Sequence, residues 1–447
     1  MKKRVFLLLI IIFFISGCAE SNLEENKGNL GDVSHDLDLD SVLNMCHGLS
    51  EQECDQYKIN FVDSIINTYT NYHNNYDSLI SVYAEDVLFI DWDNSLPESM
   101  GGPVGGEHSL DPEYPFLLKE VKNTQHEIVY KELEKQHLIT NYKVHGEPRR
   151  IGLGLTFNEE TSQQNRVYTT NEEFIEFSFD NNNPSLFFDS TACGSWILWD
   201  SGSTFCCWPQ TMLISGVWAY IDISGAYYEM QNFRKYFASE GIIGRSLLKV
   251  ARGDWYFHGD ITAHVPHKDS LTPECGWAEK EDADCICELD QTKNGLAIII
   301  NGGGIYDNSE LINSINYFIS SVESDLGILG SLQKFSGTTF EELDLFIEEL
   351  YYNSDVAYVI LIGEDLPITQ IIPGAEGVRL FGAQYLGIVD NKKIVEGRNT
   401  YCYDVAISYI LPPLHSPTFC KKGETKCVSG QLLKCAEDSW VSTGESC

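Results

Sequence analysis

Positive charge is what this chain has least of: 30 Lys and Arg stand against 66 Asp and Glu in 447 residues, a formal net charge of −36. Such a surface repels phosphate backbones and anionic head groups, which argues against nucleic-acid binding and against membrane attachment by charge. Long hydrophobic runs are missing too. The most apolar stretch, Val5 to Ile15, is too short for a bilayer core of about 30 Å, which takes roughly 20 residues. The sequence has no His-Glu-x-x-His, no Cys-x-x-Cys and no Gly-x-Gly-x-x-Gly, so the spacings most specific for zinc and dinucleotides are absent.

Cysteine, in contrast, is plentiful, with 14 in all. Lys2, Lys3 and Arg4 precede the apolar run, and Ser16-Gly17-Cys18 follows it. That order of basic, apolar and small residues reads as a signal peptide over 1–17. Ile15-Ser16-Gly17-Cys18 resembles the lipobox of prokaryotic lipoproteins, which implies cleavage before Cys18 and lipid on its thiol. The expected localisation is therefore the outer face of an envelope membrane, with the lipid as the membrane contact. Removing the three basic residues takes the net charge from −36 to −39. The acidic stretch up to Asp40 reads as a linker over 18–40 that reaches roughly 25 Å.

Setting Cys18 aside leaves thirteen cysteines. An exported protein is expected to pair them, and an odd number leaves at least one unpaired or intermolecular. Their clustering suggests local disulfides among Cys46 and Cys54; Cys193, Cys206 and Cys207; Cys275, Cys285 and Cys287; and Cys420, Cys427, Cys435 and Cys447. Cys402 stands apart as the unpaired or long-range cysteine. A cysteine-rich module is expected over 418–447, held by disulfides because so few residues cannot bury a core. Its Trp440 is the residue to contact a protein or glycan partner, the alternative being a stabilising cap.

The expected fold is mixed. A helical segment (41–95) opens at Ser50-x-x-Glu53 and carries a Tyr-rich apolar stripe at helical spacing. A β-rich region (96–290), sandwich-like, includes strands at 174–179, 195–199 and 216–223. An α/β domain (291–413) has a parallel sheet: Leu296 to Ile300 and Val356 to Ile362 read as buried strands with two amphipathic helices between them, the second opening at Thr338 with Glu341.

Within 295–413, the run into Gly363-Glu364-Asp365-Leu366-Pro367 and the stretch Tyr403-Asp404-Val405-Ala406-Ile407-Ser408-Tyr409-Ile410-Leu411-Pro412 resemble gingipain-type, caspase-like cysteine peptidases. Ser408 and Tyr409 replace that family's Gly and Arg. The resemblance implies a catalytic His in a Gly-His-Gly setting and a catalytic Cys, both after the second stretch and each at the end of a further strand. Beyond Pro412 only His415 and Cys420 remain, in a Pro-rich connector. The expectation is therefore an inactive relative that serves binding or display. The alternative is a divergent cysteine peptidase using Cys402 or Cys420 with His415, or a metal-dependent hydrolase. For the latter, His258, His264 and His267 are the zinc candidates, with His258 and His264 sharing one face if a strand continues through both. Asp91 and Asp93 are a calcium candidate without the rest of an EF-hand. Asn301 to Gly304, at a strand-to-helix turn, offers amides to an anion. No cofactor is otherwise expected.

Overall fold

The computed structural model describes residues 49–91, 117–121, 126–143, 146–147, 150–158, 163–181, 185–190, 199–200, 208–223, 233, 236–250, 255–266, 287, 289–371, 377–380, 386–387, 389, 402–412, 425–428, 431–436 and 439–446. Its frame is one ten-stranded sheet. In chain order the strands are β1 (Ala84–Asp91), β2 (Leu117–Val121), β3 (His137–Lys143), β7 (Ser185–Ser190), β9 (Ala219–Ile223), β10 (Trp255–Gly259), β11 (Gly295–Asn301), β12 (Gly330–Phe335), β13 (Val356–Ile362) and β16 (Ala406–Ile410). Smaller antiparallel sheets are formed by β4 (Gly146–Glu147), β5 (Arg150–Asn158) and β6 (Gln163–Thr170), by β8 (Trp199–Asp200), β14 (Thr369–Ile371) and β15 (Gly377–Leu380), and by β17 (Thr425–Val428), β18 (Gln431–Ala436) and β19 (Ser439–Ser446). The described helices are α1 (Glu51–Asn74), α2 (Tyr76–Ile80), α3 (His126–Leu133), α4 (Asn171–Asn181), α5 (Trp208–Ile214), α6 (Ile243–Lys249), α7 (Ser309–Leu326) and α8 (Phe340–Ser354).

The large sheet runs β12-β11-β13-β16-β10-β9-β7-β3-β1-β2. Every neighbouring pair is parallel except β10 with β9, which is antiparallel. Two parallel blocks of five thus meet at one reversal, and each repeats the same winding: the second strand lies outside the first, and the third and fourth follow on the other side. Because the blocks run in opposite directions, the carboxyl ends of β3 and β7 lie on one edge of the sheet. Those of β10, β11 and β13 lie on the other.

This corrects the reading of 96–290 as sandwich-like. β2, β3, β7, β9 and β10 belong to the same layer as 295–410, and a boundary at 290 would fall between β10 and β11 of one sheet. Residues 174–179, read as a strand, lie in α4. Thr170 and Glu173 form a reciprocal cap there: the Thr170 amide donates to Glu173 Oε2 (2.9 Å) and the Glu173 amide to Thr170 Oγ1 (3.2 Å).

The other helices follow from their sequence. Ser50 and Glu53 cap α1, and Thr339 with Glu342 caps α8, one residue later than the spacing suggests. Gly327 closes α7 at φ 68°. Phe188 and Tyr220 pack with Leu88, Val129, Phe174, Trp208 and Met212, whereas their neighbours Phe187 and Ile221 face the larger core of α1, α6 and α7. Alternation along the strands therefore covers both faces. Among the described residues no helix is long and apolar enough to cross a membrane.

Candidate functional site

Three places concentrate polar chemistry. The first is a buried cluster where α1, α7 and the turn after β10 converge. His73, in the last turn of α1, sets Nε2 at 2.8 Å from Asp260 Oδ2 and Nδ1 at 2.7 Å from Asp325 Oδ2. Asp260 also accepts from Trp218 Nε1 (2.7 Å), the Thr262 amide (2.8 Å) and Thr262 Oγ1 (2.6 Å). Burial by itself would lower the His73 pKa; Asp260 and Asp325 outweigh it and raise it to about 9, so the ring is an imidazolium held between two carboxylates. Asp260 is opposed by burial but held below its usual range by His73 and Thr262. His264 stacks on Tyr76, with ring centroids 3.8 Å apart, and lies 3.5 Å from Asp325 Oδ2 through Nε2. Burial, only partly offset by Asp325, lowers it to about 4.

The second is the carboxyl edge of β11 and β13. Glu364 receives Lys58 Nζ at 2.6 Å and the Tyr306 hydroxyl, tying α1 to this edge. Asp365 is pushed up to about 6 by burial and then by Glu364. The glycine loop after β11 spends its amides internally: Gly302 donates to Phe335 O, Gly303 to Asp307 Oδ2 and Gly304 to Asn301 O. It is therefore no anion cradle. Cys54, Cys287 and Cys402, the cysteines whose side chains are described, are all disulfide-bonded, so no described thiol stands beside a histidine at the edge ending at Gly363.

The third is the carboxyl edge of the other block, where β3 and β7 are adjacent and parallel and Tyr142 pairs with Ser190. Asn141, Asp189, Ser190 and Asp222 are buried at the ends of three neighbouring strands. In open α/β sheets ligands sit outside carboxyl ends, near the point where the winding reverses. For this block that point lies between β1 and β3.

These positions rearrange the expected candidates. Cys402 is bonded to Cys287 across 115 residues of sequence, so it is the long-range cysteine and no free nucleophile, and Cys287 does not pair locally with Cys275 or Cys285. His258 and His264 do not form a zinc pair: β10 ends at Gly259, whose φ of 105° turns the chain away. His258 is fully buried between β9 and β16 with neither nitrogen hydrogen-bonded, and burial lowers it to about 3. His264 instead joins His73 and Asp325, whose donor atoms lie within 4.8 Å of one another. Nothing in the sequence spacing of His73 and Asp325 announces this.

Cys18, Cys46, Asp93, Cys193, Cys206, Cys207, His267, Cys275, Cys285, His415, Cys420 and Cys447 lie outside the described residues. Asp91 ends β1, opposite Lys143. Over 425–446 the chain forms a three-stranded antiparallel sheet in which Cys435 pairs in register with Trp440; the sulfur pairing expected of Cys427 and Cys435 is not among the described side chains. No known protein family, no curated protein and no solved structure matches the chain.

Proposed function

We propose that this chain is a cysteine peptidase on a gingipain-like scaffold, with Cys193 as nucleophile and His145 as its base. The observation that carries the reading is the register of β3 with β7. Tyr142 pairs with Ser190 on adjacent parallel strands, and three residues beyond each come His145 and Cys193. Both lie outside the described residues. Three residues of chain, at no more than about 3.6 Å each, separate His145 from Tyr142 and Cys193 from Ser190.

A thiol nucleophile needs an imidazole close enough to take its proton. Side by side at the carboxyl ends of neighbouring parallel strands is where an open α/β sheet offers that. His145-Gly146 and Ala192-Cys193-Gly194 each place glycine next to the reactive residue. They put a His and a Cys each after a strand, which the stretch after Pro412 lacks, although both lie before the two resembling stretches rather than after them, and Val144 stands where the family's Gly-His-Gly has its first Gly. The odd number of cysteines left after Cys18 agrees with one free thiol.

In the reaction, His145 takes the Cys193 proton and the thiolate attacks the scissile carbonyl. The proton then passes to the leaving amine as the acyl-thioester forms, and water, deprotonated by the same imidazole, releases the acid and restores the thiol. The second block, with no described thiol, serves as scaffold. Lipid on Cys18 and the acidic linker would display the enzyme at an envelope surface, and the tail with Trp440 would contact a partner or glycan there. Cleavage of casein or a fluorogenic peptide mixture under reducing conditions tests the reading. Activity is expected in the parent chain and a loss of at least about a thousandfold in Cys193→Ala and His145→Ala. Full activity in Cys193→Ala, or none in the parent over a broad peptide set, overturns it.

A further inference from the structure

Beyond the carboxyl end of β10, we propose a structural binding site for a divalent transition ion of the zinc class, ligated by His73, His264 and Asp325. Three separate elements bring the donors together: the end of α1, the turn after β10 and the end of α7. His264 Nε2 and Asp325 Oδ2 are 3.5 Å apart, and His73 Nδ1 and the same oxygen 2.7 Å. Around an ion with bonds of about 2.0–2.1 Å, tetrahedral ligand atoms stand about 3.3 Å apart. The first separation already suits that geometry. The second must open by about half an ångström, a side-chain adjustment.

The surroundings supply what metal-binding histidines need. His73 turns its other nitrogen to Asp260 at 2.8 Å, and Asp260 is itself held by Trp218 and Thr262. This carboxylate-to-histidine arrangement fixes the ring and raises its basicity. His264 is nine-tenths buried, and its Nδ1 makes no well-formed hydrogen bond. Its ring is kept neutral by burial, the state a ligand requires. The Asp325 side chain is 16% exposed and gives a way in. Two imidazoles and one carboxylate select zinc, cobalt or nickel over calcium and magnesium, which take oxygen donors.

Without an ion, the proton shared by His73 Nδ1 and Asp325 fills the same space. Binding exchanges the proton of that hydrogen bond for the cation, and the proton leaves to the buffer. The bound ion would clamp α1 to α7 and so join the two blocks of the sheet.

Full-length protein stripped with EDTA and titrated with zinc chloride by calorimetry, in two buffers of different ionisation enthalpy, tests the site. One ion per chain, release of about one proton and a raised melting temperature are expected. Calcium chloride should not compete. His264→Phe, which keeps the stack on Tyr76 and removes the donor, should weaken zinc at least tenfold with an unchanged circular dichroism spectrum. Asp260→Asn should weaken it about 10–100-fold while keeping the stoichiometry. No zinc binding by the parent chain, or equal binding by a folded His264→Phe, overturns the proposal.

Discussion

Among single residues, His73 has the largest consequence. Its pKa in the folded protein, about 9, lies above the roughly 6.5 of an unfolded histidine. Its contribution to stability is therefore complete below about pH 6.5 and is lost as pH rises through 9. In metal-free protein, the urea midpoint should fall between pH 7 and 9.5, and His73→Gln should flatten that fall. His258 acts in the opposite direction: lowered to about 3, it stabilises the fold above pH 6.5 and withdraws that support as pH falls toward 3. Removing the carboxylate in Asp260→Asn leaves the imidazolium half-paired and should cost about 3–5 kcal/mol, measured by urea unfolding at pH 7. His264 was legible as a ligand candidate from its density of neighbours, but its partners were not. Only folding brings His73 and Asp325 to it, from 191 residues before and 61 after.

The helices with a strong cap and one apolar stripe were readable in advance. Ser50 with Glu53 marked α1, and Leu311, Ile315, Phe318, Ile319 and Val322 marked α7, all of them buried. α4 was not, because Phe174, Ile175, Phe177 and Phe179 satisfy strand alternation about as well as helical spacing. The signal that decided it was the Thr170 and Glu173 cap, which alternation ignores. Tight turns were equally silent. Gly259 ends β10 at φ 105°, and a Cβ there would stand 2.6 Å from Trp218 O. Gly259→Ala should therefore cost about 1–3 kcal/mol by backbone strain alone, read as a lower melting temperature with less protection of α1 in hydrogen exchange.

Across the whole molecule, the antiparallel contact of β10 with β9 decides which residues can meet. Read alone, the apolar strands of 295–413 point to the carboxyl edge at Gly363, and His415 and Cys420 are the only His and the first Cys beyond Pro412. The continuous sheet has a second carboxyl edge, in the block of β9, β7, β3, β1 and β2, whose sequence suggests a sandwich. The apolar strands β11 and β13 declared themselves by composition. β3 and β7 did not, since Thr140, Asn141, Ser185 and Asp189 interrupt them although all four are buried. The Cys287 to Cys402 bridge links the segments before β11 and β16 and closes a long loop. Cys402→Ala should cost about 2–4 kcal/mol in urea unfolding and leave peptide cleavage intact.

The most direct test of the peptidase reading is the alkylation of the full chain by iodoacetamide at pH 6, with labelled cysteines located by mass spectrometry. A free thiol with an unperturbed pKa near 8.5 reacts slowly there, whereas one paired with an imidazole reacts fast. The account predicts rapid modification at Cys193, parallel loss of peptide cleavage, and slow modification in His145→Ala. Cys193 found in a disulfide, or labelled equally fast with and without His145, would contradict it.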